Sequence, residues 1–193
     1  MKDLNKSACS RKWKVLLSIC VSSILITQTV NAKETDTYIS KTIYDACVKY
    51  ANEYCICPEL VMAIIEREST GDKDATNGNC KGLMQVSEKW HVERMDKLGV
   101  TDIYDVSGNI HVGADYLSEL FLEYEDPALV LMIYHGEKDA IEKYNHGEIS
   151  DYATGILERT KELEILHETK SREEMNNKCL FRSFGAGYLL SFS

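Results

Sequence analysis

The sequence predicts a mostly helical α+β domain that contains one short extended segment. Apolar residues recur at three- and four-residue spacing through most of the chain after residue 37, which is the pattern of amphipathic helices. Residues 82–86 interrupt this pattern with a short, mostly apolar stretch that suits a strand or an extended wall. The chain has 193 residues, 44% of them hydrophobic, and shows no internal repeat, so it is long enough for one domain with a core.

Residues 1–32 precede that domain and are predicted to be a secretory signal peptide. A basic start that includes Lys2 and Lys14 is followed by a mostly apolar run over residues 15–30 and by small residues up to Ala32. An uncleaved membrane anchor is the alternative, but the run is shorter than the ~20 residues that span a bilayer. We therefore expect cleavage near Ala32 and a secreted, extracytoplasmic protein.

The first two helices of the domain are predicted over residues 38–54 and Pro58–Ser69. Proline suits the first turn of the second helix, because its missing N–H has no partner there in any case. The next position of that helix's apolar stripe is Glu68, so a carboxylate stands where the pattern asks for a hydrophobic residue. The stripe itself comprises Leu60, Val61, Ile64 and Ile65.

Five further helices are predicted in the rest of the domain. Asp126-Pro127 starts a run, Ala128 to Tyr134, that is apolar on every face, which indicates a central buried helix. The other four are predicted from apolar spacing and from end residues such as Ser, Asp and Gly. They are a helix capped by Ser87 and ended by Gly99 with Trp90, Met95 and Leu98 facing inward, residues 110–124, residues 140–147, and a helix capped by Ser150 with Tyr152, Ile156, Leu157 and Leu163 facing inward.

Residues 33–168 are accordingly predicted to form the folded domain, and residues 169–193 a tail of different composition. The tail begins charged, ends in aromatic and aliphatic residues, and holds three of the chain's four phenylalanines. Its role stays open between docking on the domain, contact with a partner or membrane surface, and a poorly ordered extension.

The charge balance argues against nucleic acid as a partner. The chain has 22 basic and 31 acidic residues, of which five basic and one acidic lie in residues 1–32. Cleavage would leave 17 basic against 30 acidic residues. Nucleic-acid binding requires a basic surface, which a chain this acidic lacks.

The cysteines suggest a disulfide and only weakly a metal site. A bridge between Cys57 and Cys80 would tie the Pro58–Ser69 helix to the loop opposite it, and export would permit it. The alternative is that all cysteines are small buried hydrophobic residues. A zinc site built from Cys55, Cys57, Cys80 and His91 is a third interpretation, but a lone C-x-C pair is weak evidence for zinc. We expect no metal and no cofactor.

Glu68 is the strongest candidate for chemistry. Apolar surroundings remove hydration from a carboxylate, disfavour its charged form and raise its pKa. A carboxylic acid that keeps its proton near neutral pH can protonate a leaving oxygen, as the acid of a glycoside-cleaving enzyme does. The alternative is an ordinary glutamate at a helix end whose carboxylate reaches water.

Three ordered segments support the first interpretation by resemblance. Glu68-Ser69, the run from Gly82 to Gln85 (Gly-Leu-Met-Gln) and Tyr134-His135-Gly136 resemble the Glu-Ser, Gly-Leu-Met-Gln and Ala-Tyr-Asn-x-Gly motifs of the soluble lytic transglycosylases. The sequence departs from the third motif, since Ile133 replaces Ala and His135 replaces Asn. The stretch from Gly108 to Leu117 also resembles the helix between the second and third motifs. The resemblance implies a lysozyme-like fold with a glycan-binding cleft beside the glutamate helix.

The resemblance also implies roles for these residues. Glu68 would protonate the bond between N-acetylmuramic acid and N-acetylglucosamine and then act as a base, leaving a 1,6-anhydro end. Ser69 would orient the reacting groups and Tyr134 would hold Glu68. His135, the departure from the motif, would contact glycan or add an acid-side pH dependence. The remaining implied glycan contacts are Gly82, through close backbone approach, Leu83, Met84, Gln85 and Tyr152.

Two other functions stay open at this point. A hydrolytic muramidase similar to goose-type lysozyme would need a second carboxylate ~5–5.5 Å or ~6.5–9.5 Å from the first, and Asp72, Asp74 and Glu88 are the candidates. A non-catalytic glycan-binding module would keep the cleft without the reaction. Peptidoglycan strands in the cell wall are the expected partner in each case. The sequence leaves open membership of a secretion, conjugation or cell-wall assembly complex.

Overall fold

The computed structural model describes residues 39–185, without the side chains of residues 169 and 172–185. The predicted signal peptide, residues 1–32, and the last eight residues of the predicted tail lie outside the described residues. Seven helices and a three-stranded antiparallel sheet make up the described part. They are α1 (Lys41–Tyr54), α2 (Pro58–Ser69), β1 (Thr76–Asn77), β2 (Cys80–Lys81), β3 (Val86–Ser87), α3 (Glu88–Leu98), α4 (Val106–Tyr124), α5 (Pro127–Tyr134), α6 (Ala140–Asn145) and α7 (Asp151–Gly185).

Helix-capping side chains set where several helices begin. The Asp126 carboxylate accepts hydrogen bonds from the backbone N–H groups of Ala128 at 2.9 Å and Leu129 at 3.2 Å, so it caps α5. Ser150 Oγ accepts from the N–H of Ala153 at 3.2 Å and caps α7 in the same way. Both helix starts confirm the prediction.

Helix α2 lies at the centre of the domain. Residues 60–65 are each at most 2% exposed, so this helix is buried on every side and not only along the predicted stripe. Helix α1 packs against one part of its surface and α7 against another. Residues 128–132 of α5 are also buried, which confirms a second buried helix. None of the helices within residues 39–185 combines the length and the apolar character that a membrane span requires.

Ion pairs align α2 and α7 in opposite directions. Near the end of α2, Glu66 receives two hydrogen bonds from the Arg159 guanidinium, at 2.6 and 3.2 Å. At the start of α2, Glu59 Oε1 lies 2.8 Å from Nδ1 of His167. The last turn of α2 therefore lies against the first turns of α7. Helix α7 continues to Gly185, so the predicted tail begins as an extension of this helix.

The segment predicted as extended, residues 82–86, is mostly a turn. Strands β2 and β3 pair antiparallel, with Lys81 opposite Val86. Gly82 has φ +73° and Gln85 has φ +48°, left-handed conformations that cannot continue a strand. Of the five residues only Val86 belongs to a strand. The four residues Gly82 to Gln85 form the turn between β2 and β3.

Asn109 of α4 holds this turn. Its side chain is fully buried, and Oδ1 accepts from the N–H of Met84 at 2.8 Å. Its Nδ2 donates to the carbonyl oxygens of Lys81 at 2.9 Å and Ile103 at 2.8 Å. A Cβ on Gly82 would lie 2.3 Å from Nδ2 of Asn109. Glycine at position 82 therefore leaves room for the Asn109 side chain. The sequence had instead predicted that Gly82 allows the backbone to approach the glycan.

Helix α3 departs from prediction in its inward face. Trp90 is 77% exposed, although its spacing predicted an inward position, while Met95 is buried as predicted. Ser87 stands at the N-cap position, but its hydroxyl makes no capping hydrogen bond. Gly99 ends the helix in a left-handed conformation with φ +69°, as predicted.

The predicted Cys57–Cys80 disulfide is wrong for this structure, and so is the zinc alternative. Both cysteines are free thiols. Cys57 lies at the start of α2. Cys80 lies near the other end of this helix, because burial and then the charge of Glu68 raise the pKa of its thiol. Twelve helical residues span about 18 Å, far beyond the ~7 Å between α-carbons that a disulfide allows. Among the described residues, no group of three His, Cys, Asp or Glu side chains could hold a metal ion.

Replacing Asn109 by alanine should destabilise the fold strongly. The change leaves the N–H of Met84 and two carbonyl groups without their buried partner, which should cost roughly 2–4 kcal/mol in the free energy of unfolding. Urea unfolding measures this loss. Asn145→Ala, on the exposed part of α6, is the control and should change stability by less than about 0.5 kcal/mol. Equal stability of the two variants would contradict the role given to Asn109.

Candidate active site

Glu68 stands in the last turn of the central helix α2 with its side chain half-buried. Burial raises the pKa of Glu68 above its ordinary value of 4.5. A hydrogen bond from Tyr152 and the charges of His135 and Arg67 act in the opposite direction and offset part of this rise. The carboxyl group is therefore partly removed from water, while the groups that act on it, Tyr152, His135 and Arg67, are polar or charged. Such a group keeps its proton to higher pH than an exposed glutamate does, which suits a proton donor.

Tyr152 holds the carboxyl group of Glu68. The Tyr152 hydroxyl donates a hydrogen bond to Oε1 of Glu68, and the residue is only 6% exposed. Tyr152 is the second residue of α7, and the antiparallel packing of α2 and α7 brings it to Glu68. Burial and the charge of Glu68 raise the pKa of Tyr152, so the phenol stays protonated and remains a donor.

Tyr134, to which the sequence prediction assigned this role, does not hold Glu68. Its hydroxyl donates to the carbonyl oxygen of Met84 at 2.9 Å, so it supports the turn at residues 82–85. Tyr134 still lies near the acid, because burial and then the charge of Glu68 raise its pKa well above the ordinary value. Tyr152 is therefore the tyrosine that forms a hydrogen bond with Glu68, whereas Tyr134 supports the neighbouring turn.

His135 lies face to face with Tyr152. The two ring centres are 3.9 Å apart and the ring planes differ by 5°. The His135 side chain is 47% exposed and near enough to Glu68 for its charge to lower the pKa of that group. Glu68, Tyr152 and His135 therefore form one continuous group, which we call the acid cluster.

Ser69 takes part in the end of its own helix. The side chain is buried, and its hydroxyl donates to the carbonyl oxygen of Ile65 at 3.1 Å. This bond satisfies one of the carbonyl groups near the helix end. Ser69 follows Glu68 in the sequence, and its observed hydrogen bond stabilises the end of α2. Its proposed part in orienting the reacting groups stays a prediction.

The side chains of Leu83 and Met84 face the core, which corrects their prediction as glycan contacts. Both residues are 0% exposed. The thioether of Met84 packs onto Gly113 of α4, where a Cβ would lie 2.5 Å from the sulfur. Gly113 therefore makes room for Met84. The Gly-Leu-Met-Gln run contributes to the site mainly through its backbone.

Gln85 uses its side-chain amide to brace the loop. Its Nε2 donates to the carbonyl oxygen of Gly82 at 2.9 Å and to that of Ala75 at 3.2 Å. The side chain is half-buried. Its predicted amide contact with glycan stays a prediction, since the donor is engaged within the protein.

Each carboxylate considered as a companion to Glu68 has another partner. Asp72, Asp74 and Glu88 are all exposed. Lys81 Nζ lies 2.6 Å from Glu88, Lys73 Nζ lies 2.7 Å from Asp74, and Asp72 accepts from the backbone N–H of Asp74 at 2.9 Å. Among the described residues, none of the groups that shift the pKa of Glu68 is a carboxylate. Asp72, Asp74 and Glu88 are therefore engaged elsewhere in the described structure.

Two features beside the acid cluster were not predicted. Cys80 is half-buried, and burial followed by the charge of Glu68 raises the pKa of its thiol, which places it next to the acid. A groove of about 790 Å³ begins at Gly136 and Glu137, just after His135, and continues along α6. Glu68 is not among the residues that line this groove.

Comparison with known proteins places this geometry in a family. The model of the transglycosylase SLT domain family matches residues 45–152, more than half of the chain and a range that includes the whole acid cluster. The chain is also similar to a transglycosylase of Enterobacteria phage PRD1, with 36% identity over 85 residues. That alignment covers 44% of this chain and 31% of the phage protein, so the match spans less than a third of the relative's length.

Glu68→Gln should stabilise the protein at neutral pH and not at acidic pH. Because folding raises the pKa of Glu68, the stability contributed by its protonated form is fully present below about 4.5 and is lost as the pH rises through the higher folded-state value. Glutamine does not titrate, so its advantage should appear only above that range, as a rise of a few degrees in Tm at pH 7. Thermal unfolding at pH 4 and pH 7 measures it.

The exposed Glu93→Gln on α3 is the matched control, with the same change in charge. Its difference from the parent should not show the same growth between the two pH values. A Tm difference for Glu68→Gln that is equal at pH 4 and pH 7 would contradict the burial argument.

Proposed function

The chain belongs to the transglycosylase SLT domain family, whose fold is lysozyme-like, and from this membership we propose that it is a peptidoglycan lytic transglycosylase. The observation that carries the proposal is the half-buried carboxyl group of Glu68 with its hydrogen bond from Tyr152. The substrate is the glycan strand of peptidoglycan. The bond cleaved joins N-acetylmuramic acid to N-acetylglucosamine.

The reaction proceeds in two steps that both use Glu68. In the first, the protonated carboxyl group donates its proton to the glycosidic oxygen, and the bond from that oxygen to C1 of the muramoyl residue breaks. In the second, the resulting carboxylate removes the proton of the C6 hydroxyl of the same sugar, and that oxygen bonds to C1. The product ends in a 1,6-anhydro ring, and Glu68 regains its proton. No water is consumed.

The surroundings of Glu68 support both halves of this cycle. Burial favours the protonated form that the first step needs, because a half-buried carboxylate is poorly hydrated. The Tyr152 hydroxyl and the charges of Arg67 and His135 stabilise the carboxylate that the second step needs. A pKa that is raised but counterbalanced lets one residue serve as acid and then as base.

The absence of a paired carboxylate favours transglycosylation over hydrolysis. A hydrolytic glycosidase with two carboxylates uses the second one to form a covalent intermediate or to activate water. Asp72, Asp74 and Glu88 are engaged elsewhere, and none of them shifts the pKa of Glu68 in the described site. The C6 hydroxyl of the substrate supplies the nucleophile in their place.

We also propose that the protein is exported from the cytoplasm. Peptidoglycan lies outside the cytoplasmic membrane, and the pattern of residues 1–32 is that of a secretory signal. We place the mature protein at the cell wall after cleavage near Ala32. The acidic mature chain would grip a glycan backbone through hydrogen bonds and would be repelled by anionic wall polymers.

The mass of the released fragments tests the reaction. Purified peptidoglycan treated with the protein should release muropeptides with anhydro ends, which mass spectrometry detects as one water lighter than reducing ends. Glu68→Gln should lower the release by roughly 10²–10⁴-fold, because it removes the group proposed to act as acid and then as base. Glu93→Gln, with the same change in charge, should keep the parental rate.

The other possible outcomes identify different proteins. Reducing ends would show a hydrolytic muramidase. No release by the parent, combined with binding to the glycan, would show a non-catalytic module. Full activity of Glu68→Gln would overturn the role given to this residue.

A pair of tyrosine variants tests which hydroxyl acts on Glu68. Tyr152→Phe removes a hydrogen bond that favours the carboxylate, so the pKa of Glu68 should rise and the limb of the pH–rate profile that reports its ionisation should move to higher pH. The rate at pH 7 should fall by roughly tenfold or more, as expected for a hydrogen bond to a charged group. Tyr134→Phe loses a bond to the Met84 carbonyl and should leave the position of that limb unchanged. The reverse pattern would restore the role predicted for Tyr134.

A further inference from the structure

Glu137 has an unusual environment for a surface-loop carboxylate. It follows α5 in a loop whose other residues, His135 to Asp139, are exposed, yet its side chain is only 12% exposed. Its Oε1 is fully buried and has no hydrogen-bond partner among the described residues. A buried carboxylate oxygen without a donor is costly unless a positive charge lies nearby.

The nearest ionisable partner of that oxygen is the ring of His135. Nδ1 of His135 lies 3.5 Å from Oε1 of Glu137, within ion-pair distance once the ring carries its second proton. A ring that carries its second proton would therefore give the unpaired oxygen a partner. The same ring is stacked on Tyr152, so it links Glu137 to the other two members of the acid cluster, Tyr152 and Glu68.

The backbone fixes the loop independently of the Glu137 carboxylate. The N–H of Glu137 donates to the carbonyl oxygen of Met132 at 3.1 Å, and the N–H of His135 donates to that of Leu131 at 3.0 Å. Gly136 between them adopts φ +75°, which reverses the chain at the end of α5. The Glu137 side chain is thus available to act on His135, and its conversion to glutamine should preserve the loop.

We propose that Glu137 is a positioning residue for the reaction: its carboxylate holds the His135 ring against Tyr152 and beside Glu68. This role rests on the proposed function and deepens it. Glu137 acts on the acid only through His135.

The charges around the ring define what the substitution changes. Glu137 faces His135 from its own loop, Glu68 from α2 and Tyr152 from α7. Arg67 of α2 lies 5.9 Å from the centre of the Tyr152 ring and adds a fixed positive charge. The charge of His135 lowers the pKa of Glu68, whereas Glu137 is not among the groups that shift it. A His135 ring that moves away from Tyr152 and Glu68 should therefore let the pKa of Glu68 rise.

The first test observes the ring itself and does not depend on catalysis. Proton NMR contacts between the His135 and Tyr152 rings are recorded for the parent, for Glu137→Gln and for Glu148→Gln, an exposed site with the same change in charge. In Glu137→Gln the nuclear Overhauser contacts between the two rings should weaken, while Glu148→Gln should keep those of the parent. Unchanged ring contacts in Glu137→Gln would overturn the proposal, whatever reaction the protein catalyses.

The second test follows the acid through the pH dependence of kcat. In Glu137→Gln the limb that reports Glu68 should move to higher pH by a few tenths of a unit, the size expected of a partly exposed ion pair, with KM unchanged within about twofold. His135→Asn should move the limb in the same direction. Adding Glu137→Gln to His135→Asn should produce no further shift, because the path through the ring is already gone.

Other kinetic outcomes exclude the positioning role. A further shift in the double variant would show that Glu137 acts directly on the acid or on the substrate. A loss of kcat and of thermal stability together, without movement of the limb, would show a structural role only. Failure of the proposed function is recognised separately, since it appears as a parent protein that releases no anhydro products.

Discussion

The antiparallel packing of α2 against α7 is the constraint on which the site depends. The pair is fixed by Glu59 with His167 at one end and by Glu66 with Arg159 nearer the other. Ala153, Ile156 and Leu163 of α7 are each at most 1% exposed and belong to the core. A slip of one helical turn would displace α7 by about 5.4 Å. The Tyr152 hydroxyl would then no longer reach Glu68, although both helices would remain intact.

A second, independent support comes from α4. Asn109 and Gly113 lie four residues apart on one side of that helix and contact the turn at residues 82–85. Asn109 forms hydrogen bonds with the turn, and the Met84 side chain packs against Gly113. The resemblance of the Gly-Leu-Met-Gln run to the family motif implied direct contact with glycan. In this chain its side chains fill the core and brace the loop, and the carbonyl group of Met84 anchors Tyr134. The run therefore supports Tyr134, which lies near Glu68.

Local signals in the sequence were sufficient for the helices and for Glu68. Proline, Asp126 and Ser150 mark helix starts through interactions within one turn, and the structure confirms them. Glu68 was detectable because a charged residue interrupts an apolar stripe. The full burial of α2 was not detectable in the same way, since it depends on what packs against the remaining faces.

The errors arise where the partner lies far along the chain. Tyr134 and Tyr152 are both aromatic residues near apolar positions, and only the crossing of α7 over the end of α2 decides which hydroxyl meets an acid 84 residues earlier. Asn109 offered one overlooked signal, an amide inside the apolar stripe of α4. The Cys57–Cys80 pairing failed because closeness to the same helix in sequence does not mean closeness to the same end of it. Trp90 shows that spacing alone does not bury a residue at the edge of a short helix.

The exposed position of His135 has an evolutionary consequence. The ring lies outside the tightly packed interior, on a loop whose course is set by backbone hydrogen bonds and a glycine. Exchanging the imidazole for an amide at this position alters the stacking on Tyr152 and leaves the backbone hydrogen bonds of the loop in place. Over time or by design, one substitution on the rim can therefore retune the charge beside Glu68 without rebuilding the interior that keeps this carboxyl group in place.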